Sequence, residues 1–314
     1  MVPPDVVVLA GSASQQLGRA MARYLGCELG ASEVLRFSEG NLFVRVGENV
    51  RGRDVFIVQG TAFPANDNFM ELLFWIDALR RASAASVTAI IPYFGYAKGD
   101  KKDEPRVSIR ARVCADAIQA AGADRVVTLD LHAPQVQGFF TIPVDDLYSL
   151  PVLCDAIAAW GLENLVVVAP DAGAVKRVRL WATRLKAPIA IADKRRLDHS
   201  EAAEIVDLMG SVEGRTALIV DDFVISGGTL ADCARVLVDR GASAVYAAVT
   251  HGLMPGKARE TLDMSPIRRL LMTDSVETQP TELSDKVEVV SVGPLFGEAI
   301  RRIARRESIS VLFD

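Results

Sequence analysis

The chain lacks any apolar run near the ~20 residues needed to cross a bilayer; its longer ones, such as 87–91, are the size of strands. That speaks against a membrane role. It also lacks an excess of positive charge, since 35 Lys and Arg stand against 40 Asp and Glu for a formal net charge of −5. No global basic field gathers a polyanion, so a nucleic-acid partner is not expected. Cysteine is sparse. The four present, Cys27, Cys114, Cys154 and Cys233, are widely spaced, with neither a Cys-x-x-Cys pair nor a neighbouring His to suggest zinc. They are expected as buried free thiols, the usage of a reducing compartment. Residues 1–5 carry no basic stretch leading into an apolar signal core, and a cytoplasmic location is expected. Low-complexity segments and short-period repeats are absent too.

What is present is the balance of a globular protein: 314 residues, 50% hydrophobic and 24% charged. That length exceeds one usual domain and suggests two of about 150 residues each. Short Val/Ile-rich runs alternate with longer amphipathic stretches, as when helices join buried parallel strands, so the class is α/β. Strands are predicted at 6–10, 55–59, 87–92, 126–130, 165–169, 188–192, 217–221, 244–249, 269–272 and 287–290, and helices at 68–81, 110–121, 172–185, 230–240 and 295–306. The domains are expected at 1–149 and 150–291, with a C-terminal helix at about 292–314 packing back on the first.

Several predicted strands end in polar groups: Asp130 with His132, Asp171, and the pair Asp221-Asp222. Ligands of open parallel sheets bind beyond the carboxyl ends of strands, so these ends point to one site. Ala217-Leu218-Ile219-Val220 reads as a strand stopping at Asp221-Asp222, followed by a small-residue turn, Ile225-Ser226-Gly227-Gly228-Thr229, that opens a helix. Backbone N–H groups at such a turn cradle a phosphate, hydroxyls of Ser226 and Thr229 add donors, and the acids suit ribose hydroxyls or a hydrated Mg2+. An N-capped helix behind two surface acids is the plainer alternative. From spacing alone, Phe37 is a core aromatic, and the short clusters Lys98 to Lys102 and Lys194-Arg195-Arg196 suit a small phosphate ligand, with solvated loop charges as the plainer alternative for each.

The turn from Asp221 to Thr229 resembles the phosphoribosyl-binding signature of phosphoribosyltransferases. Asp130-Leu131-His132-Ala133-Pro134-Gln135-Val136-Gln137-Gly138-Phe139-Phe140, with Pro143-Val144-Asp145 following, resembles the signature of ribose-phosphate pyrophosphokinases, or phosphoribosyl pyrophosphate synthetases. The likeness continues through Phe37-Ser38-Glu39-Gly40-Asn41, Val50-Arg51-Gly52, Ile91-Pro92-Tyr93-Phe94-Gly95-Tyr96, Pro170-Asp171-Ala172-Gly173 and Thr250-His251-Gly252.

The resemblance implies two similar phosphoribosyltransferase-like domains and transfer of the diphosphate of ATP to ribose 5-phosphate. It implies Mg2+ bound through His132 and Asp171, and Lys194 and Arg196 as the catalytic pair, Arg196 also touching substrate. ATP is implied at Phe37, Glu39, Gly40 and Asn41, and near its phosphates at Lys98, Gly99 and Asp100. The adenine hairpin comes from a neighbouring subunit in this family, which implies a homo-oligomer. Ribose 5-phosphate is implied at Asp221, Asp222, Ile225, Ser226, Gly227, Gly228 and Thr229.

The chain departs from the commoner family pattern at Ile225, where a third acid is usual, and at Lys98-Gly99 in place of Arg-Gln. Ile225 is expected to serve packing. The form of this turn and of Gly40-Asn41-Leu42-Phe43 resembles a divergent branch. Lys101-Lys102-Asp103-Glu104-Pro105-Arg106 is shorter and more acidic than the loop linked to phosphate activation and ADP inhibition. Two other functions use parts of the same pattern. A phosphoribosyltransferase shares the Asp221 to Thr229 turn but not the His132 signature with Lys194 and Arg196. A non-catalytic synthetase subunit fits Ile225 and Gly99 but not the retention of His132, Asp171, Lys194, Arg196, Asp221 and Asp222.

Overall fold

The computed structural model describes residues 5–195, 204–278 and 283–313. The chain forms two units: Met1–Tyr148 with Ser275–Glu277 and Ser291–Asp314, and Ser149–Asp274 with Thr278–Val290.

The first unit starts with β1 (Val6–Ala10) and α1 (Gln15–Leu25), followed by a hairpin of β2 (Ser32–Arg36) and β3 (Leu42–Val46). It continues through β4 (Asp54–Val58), α2 (Ala65–Arg81), β5 (Ser86–Ile91), α3 (Arg110–Ala121), β6 (Arg125–Leu129) and β7 (Val144–Leu147). Its five-stranded sheet has the order β1-β4-β5-β6-β7, every pair parallel. Strands buried on both faces must be apolar almost throughout, and they are: Val55, Phe56, Ile57 and Val58 are fully or almost fully buried, as are Val87, Ala89, Ile90 and Ile91. The amphipathic α2 closes one face with Leu72, Trp75, Ile76 and Leu79.

The second unit comprises α4 (Leu150–Ala159), β8 (Leu165–Ala169), α5 (Val175–Leu185), β9 (Ile189–Arg195), β10 (Glu204–Met209), β11 (Thr216–Val224), α6 (Gly228–Asp239), β12 (Ala244–Gly252), α7 (Ala258–Asp263), β13 (Ile267–Thr273) and β14 (Val287–Val290). Its sheet runs β10-β9-β8-β11-β12-β13-β14, parallel except for the edge pair β9 and β10. Period-two alternation sorts the side chains between two faces. Val166, Val168 and Ile219 meet Leu230, Cys233 and Leu237 of α6. Val167, Ala169, Leu218 and Val220 meet Ile157 of α4 and Val178 and Trp181 of α5. The last helix, α8 (Gly293–Ala304), belongs to the first unit, where it packs on α1 and Glu298 Oε2 accepts a 2.8 Å hydrogen bond from the Tyr24 hydroxyl.

Two expectations are corrected. The strand bearing Asp221-Asp222 does not stop at the acids: β11 pairs with β12 as far as Val224 opposite Gly252, so both carboxyls belong to the sheet. The cysteines are not uniformly buried, because Cys27 is exposed just beyond the end of α1 whereas Cys114, Cys154 and Cys233 are interior. Burial pushes the thiols of Cys114 and Cys154 up to about 11 and about 12, which keeps them protonated and inert.

Candidate active site

In the first unit the antiparallel register pairs Arg36 with Leu42, leaving Phe37, Ser38, Glu39, Gly40 and Asn41 as the hairpin turn. Phe37 N–H donates to the Asn41 carbonyl at 2.9 Å and Gly40 N–H donates to the Phe37 carbonyl at 2.9 Å. Asn41 Nδ2 reaches Glu39 Oε1 at 3.4 Å. Val34, Val44 and Val46 seat the hairpin on the core. Phe37 is 46% exposed, so the core-aromatic alternative is overturned. An aromatic face held in the open by a hydrogen-bonded turn is suited to stacking on a planar ligand.

At the carboxyl end of the same unit's sheet, neighbouring strands β5 and β6 lead into Lys98-Gly99-Asp100 and Asp130-Leu131-His132. Lys98 and His132 are exposed, and Gly99 is buried. A Cβ at Gly99 would lie 2.7 Å from Arg110 Nε and 2.8 Å from Arg110 Cβ, so Arg110 fills the space a larger residue would need. Asp100 Oδ2 accepts a 2.6 Å hydrogen bond from Gln135 Nε2, which joins the Lys98 segment to the turn after His132.

Beneath that turn lies Asp146, 4% exposed. Its Oδ1 accepts the Leu131 N–H at 3.1 Å, while its buried Oδ2 has no hydrogen-bond partner. Burial, with a contribution from the charge of Asp130, pushes the carboxyl up to about 7, against the opposing pull of the Leu131 N–H. The unfolded chain releases this proton near pH 4 and the folded protein near 7, so the contribution to stability is complete below ~4 and lost as pH rises through ~7. The free energy linked to that proton is roughly 4 kcal/mol. The D146N variant is expected to lose this slope, which denaturant unfolding of variant and parent at several pH values between 5 and 8 measures. Parallel curves would mean that Asp146 stays ionised in the fold.

In the second unit, Asp171 follows β8 and is exposed; its Oδ1 accepts the Ala174 N–H at 3.0 Å, capping a short 3-10 turn ahead of α5. β8 and β11 are parallel neighbours with Val168 opposite Ile219, which sets Asp171 and the acid pair at the same end of the sheet. Asp222 is 3% exposed. Arg177 of α5 reaches both acids, with Nη1 3.3 Å from Asp221 Oδ1 and Nη2 3.3 Å from Asp222 Oδ2. Burial, then the neighbouring charge of Asp222 and a hydrogen bond with it, hold the Asp221 carboxyl well above the ordinary carboxylate range, and Arg177 pulls it back.

Beyond Val224 the chain turns through exposed Ile225 and Ser226 to Gly227, whose φ of 79° favours glycine, and α6 begins at Gly228. Thr229 is exposed in the first turn of the helix. Ile225 is 40% exposed, just beyond the end of β11 and outside the unit's described core clusters, so the packing role expected for it is corrected. Lys194 lies in β9, paired through its backbone with Ile205. Arg196 lies outside the described residues.

Residues 6–122 match the family model for the N-terminal domain of ribose phosphate pyrophosphokinase, and residues 194–314 match that for the phosphoribosyl synthetase-associated domain. A ribose-phosphate pyrophosphokinase of Rhizobium meliloti is 48% identical over 98% of this chain and 99% of its own length. One from Maricaulis maris is 50% identical with the same coverages. The chain belongs to the ribose-phosphate pyrophosphokinase family. The crystal structure of phosphoribosylpyrophosphate synthetase from Mycobacterium smegmatis matches with a TM-score of 0.90 at 35% identity, over 96% of this chain and 99% of that one. This pyrophosphokinase therefore has the expected α/β class, with two phosphoribosyltransferase-like units, each a mainly parallel sheet flanked by helices.

Sequence reasoning passed over three residues of the pyrophosphokinase. Arg110 and Arg177 look like ordinary surface charges of helical segments, and no spacing marks them. Asp146 is the second acid of β7, a strand too short for a sequence pattern to mark.

Proposed function

We propose that the enzyme transfers the diphosphate of ATP to the 1-hydroxyl of ribose 5-phosphate, giving 5-phosphoribosyl 1-pyrophosphate and AMP. The observation that carries this is the second unit's pairing of buried acids on β11 with a left-handed glycine turn that opens α6. Amides at the start of a helix bind phosphate, and two carboxylates one strand-end away accept from ribose hydroxyls, so Asp221, Asp222 and the segment Ile225 to Thr229 hold the acceptor. In the first unit Phe37 stacks on adenine, Glu39 and Asn41 hydrogen-bond it, Gly40 shapes the turn, and Lys98, Gly99 and Asp100 face the ATP phosphates. The exposure of the hairpin tip supports its delivery to a neighbouring subunit of a homo-oligomer.

His132 and Asp171 would each offer one donor to a divalent cation, Mg2+. The fit is chemical: both side chains are exposed, one offers nitrogen and the other oxygen, and Mg2+ commonly keeps waters and substrate phosphate oxygens as its remaining ligands. When bound, it spreads the charge on the transferring phosphates. Lys194 and Arg196 stabilise that charge. Free cysteines, three of them buried, support a cytoplasmic enzyme, and no described helix is long and apolar enough to cross a membrane.

Purified protein given ATP and ribose 5-phosphate, with and without phosphate, is expected to form AMP in a coupled assay. No AMP under either condition would favour a regulatory subunit. Within the acceptor site, D222N is expected to raise the KM for ribose 5-phosphate about tenfold or more, the scale of a lost hydrogen bond to a charged group. I225A, at an exposed position, is expected to stay within about threefold, the range of surface changes. The reverse pattern would displace the sugar from the acid pair.

A further inference from the structure

Arg177 has no role in what has been assigned so far, yet its guanidinium touches both acids of the proposed acceptor site. It projects from α5, just after the Asp171 turn, and divides its fork: one nitrogen lies at Asp221 Oδ1 and the other at Asp222 Oδ2, each at 3.3 Å. The same carboxylates hold backbone groups, since Asp221 Oδ1 accepts the Asp222 N–H at 2.9 Å and Asp222 Oδ1 accepts the Phe223 N–H at 3.1 Å. Both acids are thus fixed from the strand side by their own backbone and from the helix side by one cation.

We infer that Arg177 is a positioning residue for acceptor recognition, holding the carboxyls of Asp221 and Asp222 together and aimed at the ribose hydroxyls. Two carboxyls this close in a mostly buried strand repel each other, and without a counter-charge one of them takes up a proton and becomes a donor, the wrong partner for a hydroxyl proton. Desolvation and the Asp222 charge already push Asp221 that way, and Arg177, with the Asp222 N–H, opposes them. Only a planar fork spans two carboxylates in this manner; an ammonium is a single point charge. The 3.3 Å separations exceed the 2.7–2.9 Å of a tight charge-assisted hydrogen bond, so the fork sets the charge and orientation of the acids while leaving them able to accept from a sugar.

The inference rests on the placement of ribose 5-phosphate at the acid pair, and the test separates the two. KM values for both substrates and kcat are measured for R177Q, R177K, D222N and the double variant R177Q/D222N. R177Q is expected to raise the acceptor KM about tenfold while the ATP KM moves less than about twofold, with R177K recovering part of the loss. Because Arg177 acts through the acids, R177Q is expected to add little in the D222N background, a non-additivity that independent sites do not show. Effects of R177Q and D222N that multiply, or an R177Q loss shared equally by both substrates, would overturn the inference, as would an unchanged acceptor KM in R177Q alongside a raised one in D222N. An unchanged acceptor KM in D222N would remove the ribose placement itself and the inference with it. If R177Q does not fold, R177K and its combination with D222N give the same comparison.

Discussion

Replacing Lys194 or Arg196 with alanine is expected to lower kcat by at least ~100-fold, the scale seen when one donor to a developing transition-state charge is removed. KM values should change far less, because the interaction is strongest where charge develops and weaker in the ground state. Lys194 belongs to β9. The proposed reaction leaves the protein little covalent work: the diphosphoryl group passes from the α–β bridging oxygen of ATP to the ribose 1-hydroxyl oxygen, and catalysis is positioning plus charge stabilisation. Steady-state rates with both substrates saturating decide it. If both variants keep near-normal kcat, the segment is a surface feature and the charge must be met elsewhere.

Exhaustive removal of divalent cations is expected to abolish turnover, a loss of about a thousandfold or more if the metal supplies several kcal/mol at the transferring phosphates. Added Mg2+ should restore it. Among the described residues, no three His, Cys, Asp or Glu side chains gather into a metal cage. A cation held by one imidazole, one carboxylate and substrate oxygens should therefore bind weakly without nucleotide. H132A and D171N are each expected to raise the Mg2+ concentration giving half-maximal rate. A direct readout is titration calorimetry of Mg2+ into the nucleotide complex, where parent and variants should differ. Full turnover in excess chelator, or identical Mg2+ dependence in all three proteins, would remove the metal from these residues.

The sheet was legible because burial on both faces leaves strands such as β8 almost wholly apolar, and the predicted 165–169 and 287–290 coincide with β8 and β14. The helix at 110–121 coincides with α3 for a related reason, since its apolar positions fall on one face. Elements whose residues are half exposed were missed. The hairpin β2 and β3 has no fully buried position, β7 has only four residues, and α1, α4 and α7 went unnamed. The strand reading failed at Asp221, where two acids look like a terminus, because pairing with β12 and the Arg177 charge keep them inside the sheet. In the first unit's candidate site, Phe37 and His132 were legible only through the long motif that contains them. Asp146 is set by long-range packing that no local pattern records.

The first unit is assembled from three stretches of chain. Glu277 Oε1 accepts the Leu17 N–H at 2.9 Å at the start of α1, and α8, whose Phe296 and Ile300 are fully buried, covers that helix. A ribosome delivers residues in order, so the five strands from Val6 to Leu147 emerge well before the residues that finish their unit. At ~5–20 residues per second, the wait between Tyr148 and Ser291 is roughly 7 to 30 seconds. Throughout it the side of α1 on which α8 settles, with Ala20 beside Gly293 and Tyr24 beside Gly297, lacks its cover. A nascent chain stalled after the second unit should therefore bind chaperones and be cut by protease near α1, and one extended past α8 should resist both.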